Sequence, residues 1–197
     1  LNLLSIFLGQ TRGVLDTEKT QELVDGLAQL PRLMGDLLAD SAAYQRLAKE
    51  YVGTDYFLFL GRGMNAPIAS EGSLKLKEIS YVHAEAYPAG EMKHGPIALL
   101  EEGSPVVVIA PNDKFKQKTV SNIQECRARG AKIILIHEAG DDIAEEADIS
   151  ISVGSTDPML SPLLTVIPLQ LLAYQTGLAR GCDVDKPRNL AKSVTVE

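Results

Sequence analysis

The chain is short of cysteine and histidine, carries no excess of positive charge and contains no long apolar run. Each shortage closes off a class of function. The two cysteines, Cys126 and Cys182, form neither a Cys-x-x-Cys pair nor a metal-ligand spacing, so they read as free thiols in a reducing compartment. The three histidines, His83, His94 and His137, form no His-Glu-x-x-His pattern even with Glu85 and Glu91 close by, and no metal is expected. A net charge of −7 and a pI near 5.0 argue against nucleic acid as a partner, because neutralising phosphates takes a basic surface. A small anion held at a local positive site stays compatible with that balance. No apolar run reaches the roughly 18 residues of a membrane span. The opening LNLLSIFLG lacks the basic region and cleavage site of a signal peptide. A cytoplasmic location without a membrane partner is therefore expected. The chain starts without Met inside an amphipathic pattern, and so reads as an excised piece of something longer.

What is present suffices for a core: 45% of the residues are hydrophobic and 23% charged, close to globular proteins and far from disordered ones. Residues 1–50 carry helical periodicity, with Leu23, Leu27, Leu30, Leu33, Leu37 and Leu38 at spacings of three and four. Asp16 or Thr17 is placed to cap the second helix, and Pro31 is expected to interrupt it. This part reads as a helical extension. From residue 55 the pattern changes to short β-rich runs, YFLFL (56–60), PVVVIA (105–110), KIILIH (132–137) and ISISV (149–153). Helical stretches near 67–80, 114–129 and 157–180 separate them. Nearly continuous apolar strands alternating with helices predict an α/β fold, a three-layer α/β/α sandwich around a mainly parallel sheet. Residues 83–101 read as a long connection with a short helix near Gly95–Leu100, in the region where such folds place ligands.

Four stretches could carry chemistry. In LGRGMNAPIASEG (60–72) a strand meets Gly61-Arg62-Gly63 and then a helix with Pro67 near its start. Glycines admit a ligand to the backbone and a helix N-terminus favours an anion; the plainer account is a tight strand–helix turn. The spacing falls short of a dinucleotide fingerprint. Glu71, Lys75 and Glu78 follow at intervals of four and three, which puts them on one helix face. An ordinary solvated ion-pair row explains that spacing as well as a proton-transfer site does. His94 in GEMKHGP is suited to proton transfer near neutral pH. By pattern, His137 is a surface or edge residue and His83 a cap on the preceding helix. Lys192, in the closing KPRNLAKSVTVE, reads from composition alone as a solvated tail lysine, although Leu190, Val194 and Val196 give that tail something to bury.

Taken together, LGRGMNAPIASEGSLKLKEISYVHAEAYPAGEMKHGPIALL and CDVDKPRNLAKSVTVE resemble the isomerase portion of the glutamine–fructose-6-phosphate aminotransferases. The similarity is to the carboxyl-terminal of their two sugar-isomerase (SIS) domains, with residues 1–50 as the connector and remnant of the first, 51–182 as the domain and 183–197 as a tail. The resemblance implies synthesis of glucosamine 6-phosphate from fructose 6-phosphate and glutamine-derived ammonia, without a cofactor, in a homodimer. It implies that His94 opens the sugar ring, reaching the neighbouring subunit's site, that Lys192 forms a Schiff base with the C2 carbonyl, and that Glu78 moves a proton between C1 and C2. Lys75 and Glu71 assist, while Gly61, Arg62, Gly63 and Ala191 contact substrate. A Lys75–Lys192 pairing would lower the pKa of both amines, with Glu78 opposing it. The ammonia-releasing domain and the first SIS domain, with its phosphate loop, are not in this sequence, so it is expected to be weak or inactive alone. A SIS deglycase and a non-catalytic phosphosugar sensor are the competing readings; the terminal KPRNLAKSVTVE disfavours the first, and Glu78, His94 and Lys192 together disfavour the second.

Overall fold

A computed structural model describes residues 1–190 of the chain, so Ala191 and Lys192 lie outside the described residues. Five strands form, β1 (Tyr56–Gly61), β2 (His83–Pro88), β3 (Pro105–Ala110), β4 (Lys132–Glu138) and β5 (Ile149–Val153), with helices α1 (Asn2–Thr11), α2 (Thr17–Ala39), α3 (Ser41–Glu50), α4 (Asn65–Ser80), α5 (Lys116–Arg127) and α6 (Ser161–Ala179). All four strand pairings are parallel, in the order β2-β1-β3-β4-β5.

The period-2 alternation of a strand explains why the apolar runs are continuous. Phe57, Phe59, Val107, Ile109, Ile134 and Ile136 bury against α2, α3, α4 and α6. Their neighbours Leu58, Leu60, Val106, Val108, Ile133 and Leu135 bury on the opposite face against Ile123 and Cys126 of α5. The expected three-layer sandwich is what forms. The leucines of the helical extension serve the same core, since Leu30, Leu33 and Leu37 of α2 and Leu47 of α3 join the α4–α6 side. Ile6 of α1 packs separately with Leu23 and Leu160.

Several local expectations are corrected. β2 occupies part of the predicted connection; its HAEAYP sequence is polar because an edge strand has a single neighbour, and of its six residues only Ala84 is fully buried. The short helix expected near Gly95–Leu100 does form, as the 3-10 turn Pro96–Leu99, and a second 3-10 turn, Ala89–His94, precedes it. His83 does not cap α4. Tyr81 does, in the left-handed conformation at φ 59°, while the His83 N–H opens β2 by donating to Asp55. His137 is not at the surface: it is 4% exposed, near the end of β4 between β3 and β5. Pro31 does not interrupt α2, which continues for 23 residues. The proline faces solvent, and the buried leucines on the other side keep the helix continuous past the missing hydrogen bond. Asp16, rather than Thr17, is the cap, accepting from the Lys19 N–H at 2.7 Å. α6 alone among the described helices is long and apolar enough to cross a membrane. Its Leu164, Leu169 and Leu172 are instead buried in the core, and a helix hemmed in by α2, α3, α4 and the sheet has little need of a polar face.

Candidate functional site

The loop after β1 leads into α4 by a turn that uses its glycines internally. A side chain at Gly61 would collide with the Asn65 carbonyl, and Gly63, at φ 53°, lies beneath the Phe115 ring. The first amides of the helix are also engaged, Asn65 N–H with the Arg62 carbonyl at 2.9 Å and Ala66 N–H with that of Gly63 at 3.2 Å. The Arg62 side chain turns away toward α5, where Nε and Nη2 both donate to Asn122 Oδ1 at 3.1 and 2.9 Å.

Farther along α4, residues 69, 72, 73 and 76 face inward, which leaves Glu71, Lys75 and Glu78 half-buried on the outer side. Lys75 Nζ donates to Glu78 Oε2 at 2.6 Å and stands 3.9 Å from Glu71 Oε1. The hydrogen bond that Lys75 donates to Glu78 raises the Lys75 pKa above its ordinary value; partial burial pulls the other way and loses, and both carboxylates add attraction. Among the described residues, then, the influence of Glu78 prevails at Lys75. The row lies on an open helix face with a fixed ammonium between two carboxylates. It can hold developing negative charge and move a proton, given a facing wall to exclude water.

His94 is not brought to that row. Its 3-10 turn packs through Ala89 and Met92 onto the face of the sheet carrying α5, opposite α4, and His94 itself is exposed at the end of the turn. The tail, by contrast, does approach α4. The Arg188 N–H donates to the Tyr81 hydroxyl at 2.8 Å and its guanidinium lies 4.1 Å from the centre of the Tyr81 ring, three residues beyond Glu78. Leu190 is 53% exposed, so Arg188 rather than Leu190 ties the tail down. Sequence reading missed both Tyr81 and Asn122. The spacing of Thr119, Asn122, Ile123 and Cys126, all buried on one face of α5, offered the only cue, a polar amide in an apolar stripe.

A cavity of about 550 Å³ lies elsewhere, at the amino-terminal ends of β1 and β3 among Tyr56, His83, Glu101 and Ser104. Parallel sheets bind ligands at their carboxyl ends, and none of the row residues reaches this cavity. Among the described residues no cluster of three metal-ligating side chains occurs.

Strand order 2-1-3-4-5 with helices on both faces defines a doubly wound α/β domain of the flavodoxin-like arrangement. Within that class the chain belongs to the SIS domain family, whose profile matches residues 55–180. It is 53% identical over 99% of its length to the glutamine–fructose-6-phosphate aminotransferase (isomerizing) of Thermus thermophilus. It is 51% identical over 98% of its length to the enzyme of the same name from Bradyrhizobium diazoefficiens. The chain spans 32% of each of these relatives. A solved structure, the C-terminal domain of glucosamine-fructose-6-phosphate aminotransferase from Francisella tularensis, superposes with a TM-score of 0.88 at 36% identity, covering 93% of this chain and 52% of that one.

Proposed function

We propose that the chain is the carboxyl-terminal SIS half of an isomerase region that converts fructose 6-phosphate and ammonia, released from glutamine by another domain, into glucosamine 6-phosphate and water. The observation that carries this reading is 53% identity across 99% of the chain to enzymes named for that aminotransfer. The acid–lysine–acid row on α4 supports it. In this reading His94 moves the proton that opens the ring. Lys192 adds to the C2 carbonyl with loss of water, and ammonia then displaces the lysine so that nitrogen stays on C2. Glu78 removes a C1 proton, the C1–C2 double bond forms as the C2–N double bond becomes single, and reprotonation at C2 restores a carbonyl at C1. Lys75, kept cationic by Glu78, faces the negative charge that develops on oxygen, and Glu71 steadies its other side. The reaction needs neither cofactor nor metal in this scheme, and the partners are the sugar phosphate and a second subunit in the cytoplasm.

Placement of His94 and the row on opposite faces of the sheet favours a homodimer in which His94 serves the neighbouring site. On this reading the open row should leave the isolated chain with weak or no turnover. The test joins the chain to the upstream SIS segment of the Thermus relative and follows fructose 6-phosphate to glucose 6-phosphate interconversion. Glu78→Gln and Lys192→Ala should each lower kcat by about 10²–10⁴-fold, the range for losing a proton-transfer group or nucleophile. Parent-like rates in both variants would overturn the assignment, and a parent that binds phosphosugar without turnover would favour the sensor reading.

A further inference from the structure

We infer that Arg62, Asn122 and Glu125 are positioning residues that clamp the 89–94 turn and so set where His94 stands during ring opening, an inference that rests on the role proposed above for His94. Arg62 spends two donors on the single oxygen Oδ1 of Asn122, which is 3% exposed. The amide is engaged at its other end as well, Nδ2 donating to Glu125 Oε2 at 3.1 Å. Its orientation is therefore fixed from both sides. Glu125 Oε1 in turn lies 3.9 Å from Lys93 Nζ, on the residue next to His94.

The flat guanidinium rests against the turn itself. A Cβ at Gly90 would sit 3.3 Å from Arg62 Nη2, 3.4 Å from Nη1 and 3.5 Å from Cζ. Gly90 is not among the residues with positive φ, so this glycine supplies room for the arginine rather than backbone freedom. Beneath, Met92 Sδ meets Cys126 Sγ at 3.1 Å, both fully buried. The turn is thus gripped at residues 90, 92 and 93, and the exposed His94 inherits its position from that grip. A lysine at 62 cannot replace the arginine, because an ammonium neither lies flat against the turn nor presents two donors from a planar fork. With Nε and Nη2 already engaged, Arg62 acts as a strut between the β1–α4 turn, α5 and the His94 turn.

Two measurements on Arg62→Lys and Asn122→Ala test this. Hydrogen exchange on the 197-residue chain should show amides 89–94 exchanging at least about tenfold faster in both variants, as local opening becomes easier. In the chain joined to the upstream segment, turnover of fructose 6-phosphate should fall about 10- to 100-fold, the scale of a small misplacement. Turnover of 5-deoxyfructose 6-phosphate, which lacks the hydroxyl that closes the ring, should stay within about threefold of parent in Asn122→Ala by the same argument. A general loss of structure would depress both substrates alike. Unchanged exchange in the turn, or equal losses on the two sugars, would overturn the inference. A parent inert on both sugars would count against the proposed function, while the exchange result would still decide the clamp. Should Asn122→Ala fail to fold, hydrogen exchange of the 89–94 amides in Arg62→Lys, at a half-buried position, carries the test.

Discussion

At Lys75 two effects compete, and the hydrogen bond to Glu78 outweighs partial burial. A raised pKa means that the stabilisation from this contact is complete below the ordinary lysine value and is lost only as pH climbs through the still higher folded value. The ammonium is consequently constant across neutral pH, and the pH dependence of any activity must come from other groups. Asp148 behaves in the opposite sense. Burial pushes its pKa up, but the Ile133 N–H at 2.9 Å and Lys132 Nζ at 2.9 Å push it further down, and the net shift is below the ordinary carboxylate value. Its contribution is present above that ordinary value and disappears as pH falls through the depressed one. Asp148→Asn should therefore lower the urea midpoint at pH 7 by an amount that shrinks steadily as the pH falls below the ordinary carboxylate value of about 4. A gap that stays constant with pH would remove Asp148 from the acid response.

Two helices carry the predictions at the scale of elements. α2 keeps Pro31 on its solvent side, where the missing N–H costs about 3 kcal/mol relative to alanine in a helix interior. Proline returns up to about 1 kcal/mol by restricting the unfolded chain. Pro31→Ala should accordingly stabilise the protein by about 2 kcal/mol, a rise in Tm of roughly 4–8 °C for a chain of this size. No rise would mean that the helix already relieves the proline locally. α4 ends at Tyr81, whose hydroxyl and ring both hold Arg188. Tyr81→Ala should free that contact, and trypsin should cut after Arg188 several-fold faster, as cleavage reports local opening. The bond after Lys186 precedes a proline and resists trypsin, which leaves Arg188 as the readout.

For the whole molecule, the roles proposed for His94 and Glu78 require groups on opposite faces of one sheet to share a reaction. If His94 serves the site of a second subunit, Glu78→Gln and His94→Ala proteins are each inactive but complement one another. A mixed dimer then holds one site with both defects and one with neither. Unfolding and refolding equal amounts together, each joined to the upstream segment, should restore about a quarter of parental activity, the statistical share for one good site in half of the dimers. Absence of recovery would place His94 and Glu78 in the same subunit's site, against the geometry of this fold.

The sequence by itself determined the layers. Four apolar runs, three of them buried on both faces and the edge run 149–153 with its serines exposed, with helical stretches between them leave a covered parallel sheet as the way to bury what they carry. It also marked Glu71, Lys75 and Glu78 as one helix face, because α-helical spacing is a local property. It did not reveal β2, since an edge strand with polar outward positions needs no apolar run, nor that α2 continues through Pro31, because tertiary burial of Leu30, Leu33 and Leu37 outweighs a local penalty. Only the tertiary structure decided that Arg62 reaches Asn122 sixty residues away, that Arg188 returns to Tyr81, and that His94 stands across the sheet from the row on α4. These are contacts between distant positions fixed by chain crossings and packing, and no local period encodes them.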